Sequence, residues 1–280
     1  MHYPDKGLVR LCRLFGLSRQ AYYKHHWGVL DRNKTGEIIL KLVRKIRETH
    51  PRIGTRKLHQ MLQPLLIEHE IKIGRDGLFN LLANNHLLIR RRKRKVYTTQ
   101  SQHWLRKYPN LIKGIRIRVV NQLWVSDITY VRKRNGFLYL SLITDAYSRK
   151  VVGYHIAESL QAANTLEALK MALRLNNKPL YNLIHHSDRG IQYCSYDYIN
   201  LLKTHHIRVS MTESGDPLEN ALAERMNGII KNEYLFNKNI RNVNHARVLL
   251  TQAVDAYNNE RPHSSIKMQT PNKLHLSYAN

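Results

Sequence analysis

The chain has 280 residues, 42% of them hydrophobic, with 13 glycines and 8 prolines spread without a repeat, which excludes bulk disorder and fibrous architectures. Its 46 Lys and Arg against 20 Asp and Glu give a formal net charge of +26, so the expected partner is a polyanion. With no apolar run long enough to cross a bilayer and no signal peptide, nucleic acid leads over a membrane.

Residues 1–118 carry +20 of that charge and residues 119–280 only +6. The front of the molecule therefore reads as the part that grips DNA, and the back as an enzyme domain. Leu8–Phe15 predicts a short amphipathic helix, Gly16-Leu17-Ser18 a turn, and Ser18 a cap for a second helix from Arg19 to about His25. Helix, glycine turn and capped helix form a helix-turn-helix pattern over about 8–25, a pattern that many helical hairpins share. Glu37–Glu48 has helical spacing, Pro51-Arg52-Ile53-Gly54 breaks it, and Thr55 caps a helix from Arg56 to about Leu62. A further helix is expected over Arg75–Asn84. This second unit, about 37–85, reads as a compact DNA-binding unit with Arg56 among its contacts; the plainer alternative is a helical bundle packed on the catalytic domain. The helical DNA-binding region thus covers residues 1–89. A basic linker, 90–118, follows, and its run Arg90, Arg91, Arg92, Lys93, Arg94 and Lys95 suits a phosphate backbone as well as it suits solvent.

From about residue 119 the pattern turns to strands. Leu123–Val131 is rich in β-branched and aromatic residues, Asn135-Gly136 is a hairpin turn signal, and Phe137–Thr144 and Lys150–Ile156 supply two more strands. A helix at Gln161–Leu175, a strand from Tyr181 running to Ser187-Asp188, a helix from Tyr196 to about His205, a short strand at Ile207–Met211 and helices from about Asn220 complete the order. Residues 119–280 are therefore expected to form an α/β domain with a mixed sheet, preceded by the all-α region.

Three carboxylates stand out. Asp127 interrupts an apolar strand, Asp188 lies just past another strand, and Glu224 sits in the first turns of a helix. Charged groups seldom occupy such places unless something pairs with them, and carboxylates from three elements can hold a hard divalent cation through oxygen. On an α-helix, Asn220, Glu224, Asn227, Gly228 and Lys231 share one face, which suits metal at one end and phosphate at the other. Cys12 and Cys194 make neither a disulfide framework nor a zinc pair, and His185 and His186 near Cys194 lack a second ligand pair. A reducing, cytoplasmic and nucleoid-associated location fits.

Trp124-Val125-Ser126-Asp127-Ile128-Thr129-Tyr130 resembles the first-aspartate motif of bacterial insertion-sequence transposases, relatives of retroviral integrases. His186-Ser187-Asp188-Arg189-Gly190 is similar to their second motif, and Ser214 to Arg225, with 35 residues between Asp188 and Glu224, to their third. Lys231 stands where the family usually has a basic residue, and Tyr257-Asn258-Asn259-Glu260-Arg261-Pro262-His263 resembles its closing motif. Two departures are small: Glu219 stands where aspartate is common, and Arg225 where serine is common. The resemblance implies a ribonuclease-H-like integrase core and a DDE transposase in which Asp127, Asp188 and Glu224 bind magnesium, with manganese as a substitute. It implies two-metal phosphoryl transfer, cutting element ends and joining them to target DNA. Lys231 and Asn220 are expected to contact that DNA. It favours Asp127 over Asp145, which reads as a turn residue, and Glu233 lies on another helical face than Glu224. The partners implied are double-stranded DNA, further copies of the chain, and an upstream reading-frame product joined by frameshifting. A structure-selective nuclease and a catalytically silent DNA-binding regulator are the alternatives.

Overall fold

The computed structural model describes residues 7–89, 103–176, 180, 182–213, 220–235 and 238–278, without the side chains of residues 28–32. The chain packs as two compact units. The smaller holds residues up to 48 and 58–88; the larger holds 49–57 and the chain from 89 onward. The run Arg90–Lys95 lies outside the described residues.

The smaller unit is built from α1 (Leu8–Leu14), most of α2 (Arg19–Thr49), the body of α3 (Thr55–Glu68) and α4 (Arg75–Asn84). The turn after α1 uses Gly16 at φ +67, where a side chain would be strained, and Ser18 Oγ accepts from Ala21 N at 3.0 Å, the cap expected of it. α2 differs from expectation, being one helix where two were read. No proline interrupts it, and at Gly36 an added Cβ would come within 3.4 Å of Leu81 Cδ1, so this glycine admits a neighbour instead of ending the helix. α3 also runs past Leu62 and through Pro64, because Leu58, Leu62 and Leu66 continue a buried stripe at i, i+4 spacing.

The larger unit contains a mixed five-stranded sheet, β1 (Leu123–Arg132), β2 (Phe137–Asp145), β3 (Val151–Ala157), β4 (Ile184–Ser187) and β5 (Arg208–Met211), in the order β3-β2-β1-β4-β5. The first three strands form an antiparallel meander, while β1, β4 and β5 run parallel. Parallel neighbours need crossovers, and the helices α5 (Ala162–Arg174) and α6 (Tyr196–Thr204) supply them. This is the α/β order the strand and helix patterns predict, and it has the ribonuclease-H-like form. Trp124, Ile143 and Val152 pack against α5 and α6 on one face. Val131, Leu138, Leu140 and Leu142 pack on the other against α7 (Ala221–Ile229) and α8 (Val243–Asn259). Within the expected linker, Leu111, Ile112 and Ile117 pack on the cluster that Leu123 and Val125 of β1 form with Ile184 of β4.

The closing motif acts as a clasp. Asn258 Nδ2 donates to Val151 O and its Oδ1 accepts from Val151 N, both at 3.0 Å, mimicking a strand partner for β3. Tyr257 OH donates to Arg149 O at 2.9 Å. Arg261, 1% exposed, makes a two-pronged pair with Glu233 at 2.8 Å for each prong, while Glu260 and Tyr234 each bond a ring nitrogen of His50. Residues 49–57 join the larger unit through these buried bonds. A short helix, α9 (Pro271–Leu276), follows.

Candidate active site

The strand register places two of the carboxylates before any side chain is considered. β1 and β4 pair in parallel as Leu123↔Ile184, Trp124↔His185 and Val125↔His186. Continuing that offset one residue past the end of β4 brings Asp188 level with Asp127. Side chains alternate along a strand, so Asp127 and Asp188 share the face that holds Val125 and Ile184. Ala223 of α7 packs on that same cluster, so Glu224 approaches from the helix laid across this face.

Asp127 is half-buried, and its carboxyl is pushed up to about 7 by burial first, then by the charge of Asp188, with a smaller push from Glu224. Two donors oppose the shift: Asn227 Nδ2 to Asp127 Oδ2 at 2.9 Å, and Ile128 N to Asp127 Oδ1 at 2.8 Å. Asp188 is also raised, chiefly by burial, against the pull of Gly190 N, which donates to Asp188 Oδ1 at 3.0 Å. Glycine at 190 leaves room for these side chains, since an added Cβ would stand 3.0 Å from Asp188 Oδ1 and 3.2 Å from Gln192 Oε1. Glu224 is exposed on α7. Asp188 and Glu224 thus both lie within electrostatic reach of Asp127. Among the described residues no trio of His, Cys, Asp or Glu is gathered tightly enough to hold a metal ion unaided. The donor set nevertheless fits a hard cation: all three offer oxygen, and a divalent charge would cancel the repulsion that raises Asp127.

A polar layer holds the strands beneath the carboxylates. Ser126 Oγ and Tyr198 OH both bond His185 Nε2, at 2.8 and 3.0 Å, and burial followed by the neighbouring His186 lowers the His185 ring to about 3, so it stays neutral. His186 Nδ1 bonds Ser210 Oγ at 2.8 Å. His185 and His186 each bond a neighbouring strand through one ring nitrogen, and Cys194 Sγ lies 3.7 Å from Met211 Sδ. Asp145 is fully buried and accepts from Asn121 N, Ser148 N and Ser148 Oγ, each at 2.7 Å. Its oxygens are committed to the β2–β3 turn.

The remaining expected residues fall in different places. Asn220, read as a DNA contact, is buried, and its Nδ2 donates to Ser126 O at 3.1 Å, tying the start of α7 to β1. Lys231 is half-buried and its ammonium is lowered by burial. It stands on a π-helical turn, Ile230–Tyr234, that follows α7, so the face counted at α-helical pitch does not continue past Ile229. Glu233, on the same turn, is taken by Arg261. Arg56 is exposed at the start of α3. Asn227 was read only as a member of the polar face, and its bond to Asp127 needed the α7-to-β1 packing to become visible.

The integrase core domain family matches residues 118–217, and a second integrase core domain family matches 205–271. The uncharacterized 31 kDa protein of insertion element IS600 from Shigella sonnei is 35% identical over 275 residues, covering 96% of this chain and 98% of that protein. The transposase for insertion sequence element IS629 from Shigella sonnei is 29% identical over 262 residues, covering 91% of this chain and 86% of that protein. The HTLV-2 integrase catalytic core domain, solved in complex with magnesium, overlays with a TM-score of 0.47 at 23% identity, covering 57% of this chain and 99% of that one.

Proposed function

The chain belongs to the insertion-sequence transposases with an integrase core, and we propose that Asp127, Asp188 and Glu224 are the carboxylates with which it cuts and joins DNA. The observation that carries this reading is the Asp127 carboxyl, raised first by burial and then by the charges of Asp188 and, less, Glu224. Isolated surface acids do not disturb one another in this way, and a cluster of like charges in a fold that acts on DNA is a place for metal.

Magnesium ions held by these three residues, or manganese in their place, would offset charge on the attacking and leaving oxygens of an in-line displacement at phosphorus. The chain's own groups set the stage for it. Asn227 and Ile128 N orient the Asp127 carboxylate, Gly190 N orients that of Asp188, and Asn220 holds the start of α7 against β1. In the first reaction a water oxygen bonds to phosphorus at the element's end and the bond to the 3′ oxygen breaks, freeing a 3′ hydroxyl. In the second, that hydroxyl loses its proton and bonds to phosphorus in the target strand, displacing the target's own 3′ oxygen. One site serves both, because only the attacking oxygen differs.

Lys231, Arg56 and the run Arg90–Lys95 we assign to the DNA backbone, with the smaller helical unit as the reader of element ends and several copies of the chain acting together on two ends. No helix among the described residues is long and apolar enough to cross a membrane, and we place the protein on the nucleoid. The test is cleavage of labelled element ends in magnesium. Wild type cuts, while Asp127→Asn, Asp188→Asn and Glu224→Gln each cut about a thousandfold more slowly, equivalent to about 4 kcal/mol of transition-state stabilisation. A variant that kept the wild-type rate would remove its residue from the site.

A further inference from the structure

A cavity of about 530 Å³ opens in the larger unit beside α7, with Leu222 in its lining two residues before Glu224. Its other walls include Tyr147, Arg149, Lys267, Gln269 and Tyr278, and among the described residues no carboxylate lines it. Neither cation is neutralised by an ion pair among the described residues. Arg149 Nε donates to Ser265 Oγ at 3.2 Å, and the carboxylate that acts on Arg149, Asp145, has its oxygens committed to the turn. Arg225, the residue that departs from the family's usual serine, lies within electrostatic reach of Arg149 and adds to the positive field.

The backbone sharpens the point. Arg149 has φ 68 and Lys267 has φ 54, both in the left-handed region that favours glycine. Two turns that glycine would relieve instead carry long cations lining one cavity, and strain of this kind gathers where a side chain has a task. The same cavity is lined by an aromatic pair: the Tyr147 and Tyr278 rings meet edge to face at 5.0 Å, with Tyr278 about half exposed.

Cations at strained turns, an accessible aromatic face and a concave space of small-ligand size suit a phosphate attached to a flat ring. Resting on the assignment of the chain as a DNA transposase, we propose that this cavity receives one unpaired nucleotide of the bound DNA, its phosphate at Arg149 and Lys267 and its base against Tyr278. A duplex, with its bases stacked inside, would offer the cavity only its backbone.

The test compares full-length protein on two probes, a blunt element-end duplex and the same duplex with a one-nucleotide overhang carrying 2-aminopurine. Wild type should bind the overhang about fivefold to tenfold more tightly and change the probe's fluorescence. Arg149→Gly and Lys267→Gly should melt at higher temperature than wild type, through relief of the backbone, yet lose that preference. Tyr278→Leu, an exposed change that leaves the core alone, should keep most of the binding but lose the fluorescence change. Equal binding of both probes by wild type, an undiminished preference in the glycine variants, or an undiminished fluorescence change in Tyr278→Leu overturns the proposal. Failure of the transposase assignment itself reads differently, as wild-type protein that joins no ends at all.

Discussion

Asp127 sits where burial and two like charges oppose its ionisation, so its protonation is linked to stability and to metal. Its folded value, about 7, lies above the ordinary 3.8. Metal-free protein should therefore lose stability as pH rises from about 4 to about 7, because the fold prefers the neutral acid and the unfolded chain does not. Asp127→Asn removes that penalty, and Asn227 can turn its amide to accept, since its own Oδ1 has no partner. Urea melts at pH 8 without metal should show the variant about 2 kcal/mol more stable than wild type, with the difference gone below pH 4. Magnesium should reverse the ranking at pH 8 by stabilising wild type alone. A variant no more stable than wild type at pH 8 would mean that Asp127 is not strained by its neighbours. Asn227→Ala should weaken magnesium binding about tenfold and leave the rate near normal at saturating metal, the mark of a residue that orients a ligand. An unchanged metal titration would show the Asn227 bond to be incidental.

At the scale of elements, the close approach of β3 and α5 depends on Gly153, where a Cβ would stand 2.2 Å from Ala168 O and 2.9 Å from Ala172 Cβ. Backbone cannot yield as a flexible side chain can, so Gly153→Val should cost more than about 3 kcal/mol, read as a lost or sharply lowered melting transition. A melting temperature within two or three degrees of wild type, roughly 1 kcal/mol, would refute that contact. The π-helical turn has a different consequence. It buries Tyr234 and turns Glu233 to Arg261, so Arg261→Met should strand Glu233 and cost about 3 kcal/mol, and Glu233→Gln should recover part of that loss in the double variant.

These elements also show what could be read from the chain alone. Richness in β-branched and aromatic residues and the Asn135-Gly136 turn locate the strands of the meander, and the apolar setting of Asp127 marks it as unusual. The Ser18 cap was legible because its partner lies three residues away. What escaped reading depends on distant contacts. α2 runs on through Gly36, where an added Cβ would meet Leu81, a contact that no local pattern shows. Asn220 and Asn227 looked alike on one polar face, yet one bonds strand backbone and the other a carboxylate. Arg261 is legible as part of the closing motif, but its place among the most buried side chains is not. The π turn leaves no local signature, so the position of Lys231 could not be counted by pitch.

For the whole molecule, charge governs how it meets DNA. A chain of net charge +26, with most of the excess before residue 119, should bind duplex through many phosphates. Its affinity for nonspecific duplex should fall by about three orders of magnitude between 50 and 200 mM salt, and a shallow slope would confine the contact to a few residues. The measurement that tests the central claim most directly is strand transfer from pre-cut ends. Purified protein, magnesium, target DNA and labelled element ends that already carry the free 3′ hydroxyl bypass cleavage and ask only whether the site joins strands. Wild type should yield joined product, and Asp127→Asn, Asp188→Asn and Glu224→Gln, folded and still DNA-bound, should yield none. Joined product from any of the three would contradict the assignment of that carboxylate. Cleaving but non-joining wild type would make the protein a nuclease on the same fold.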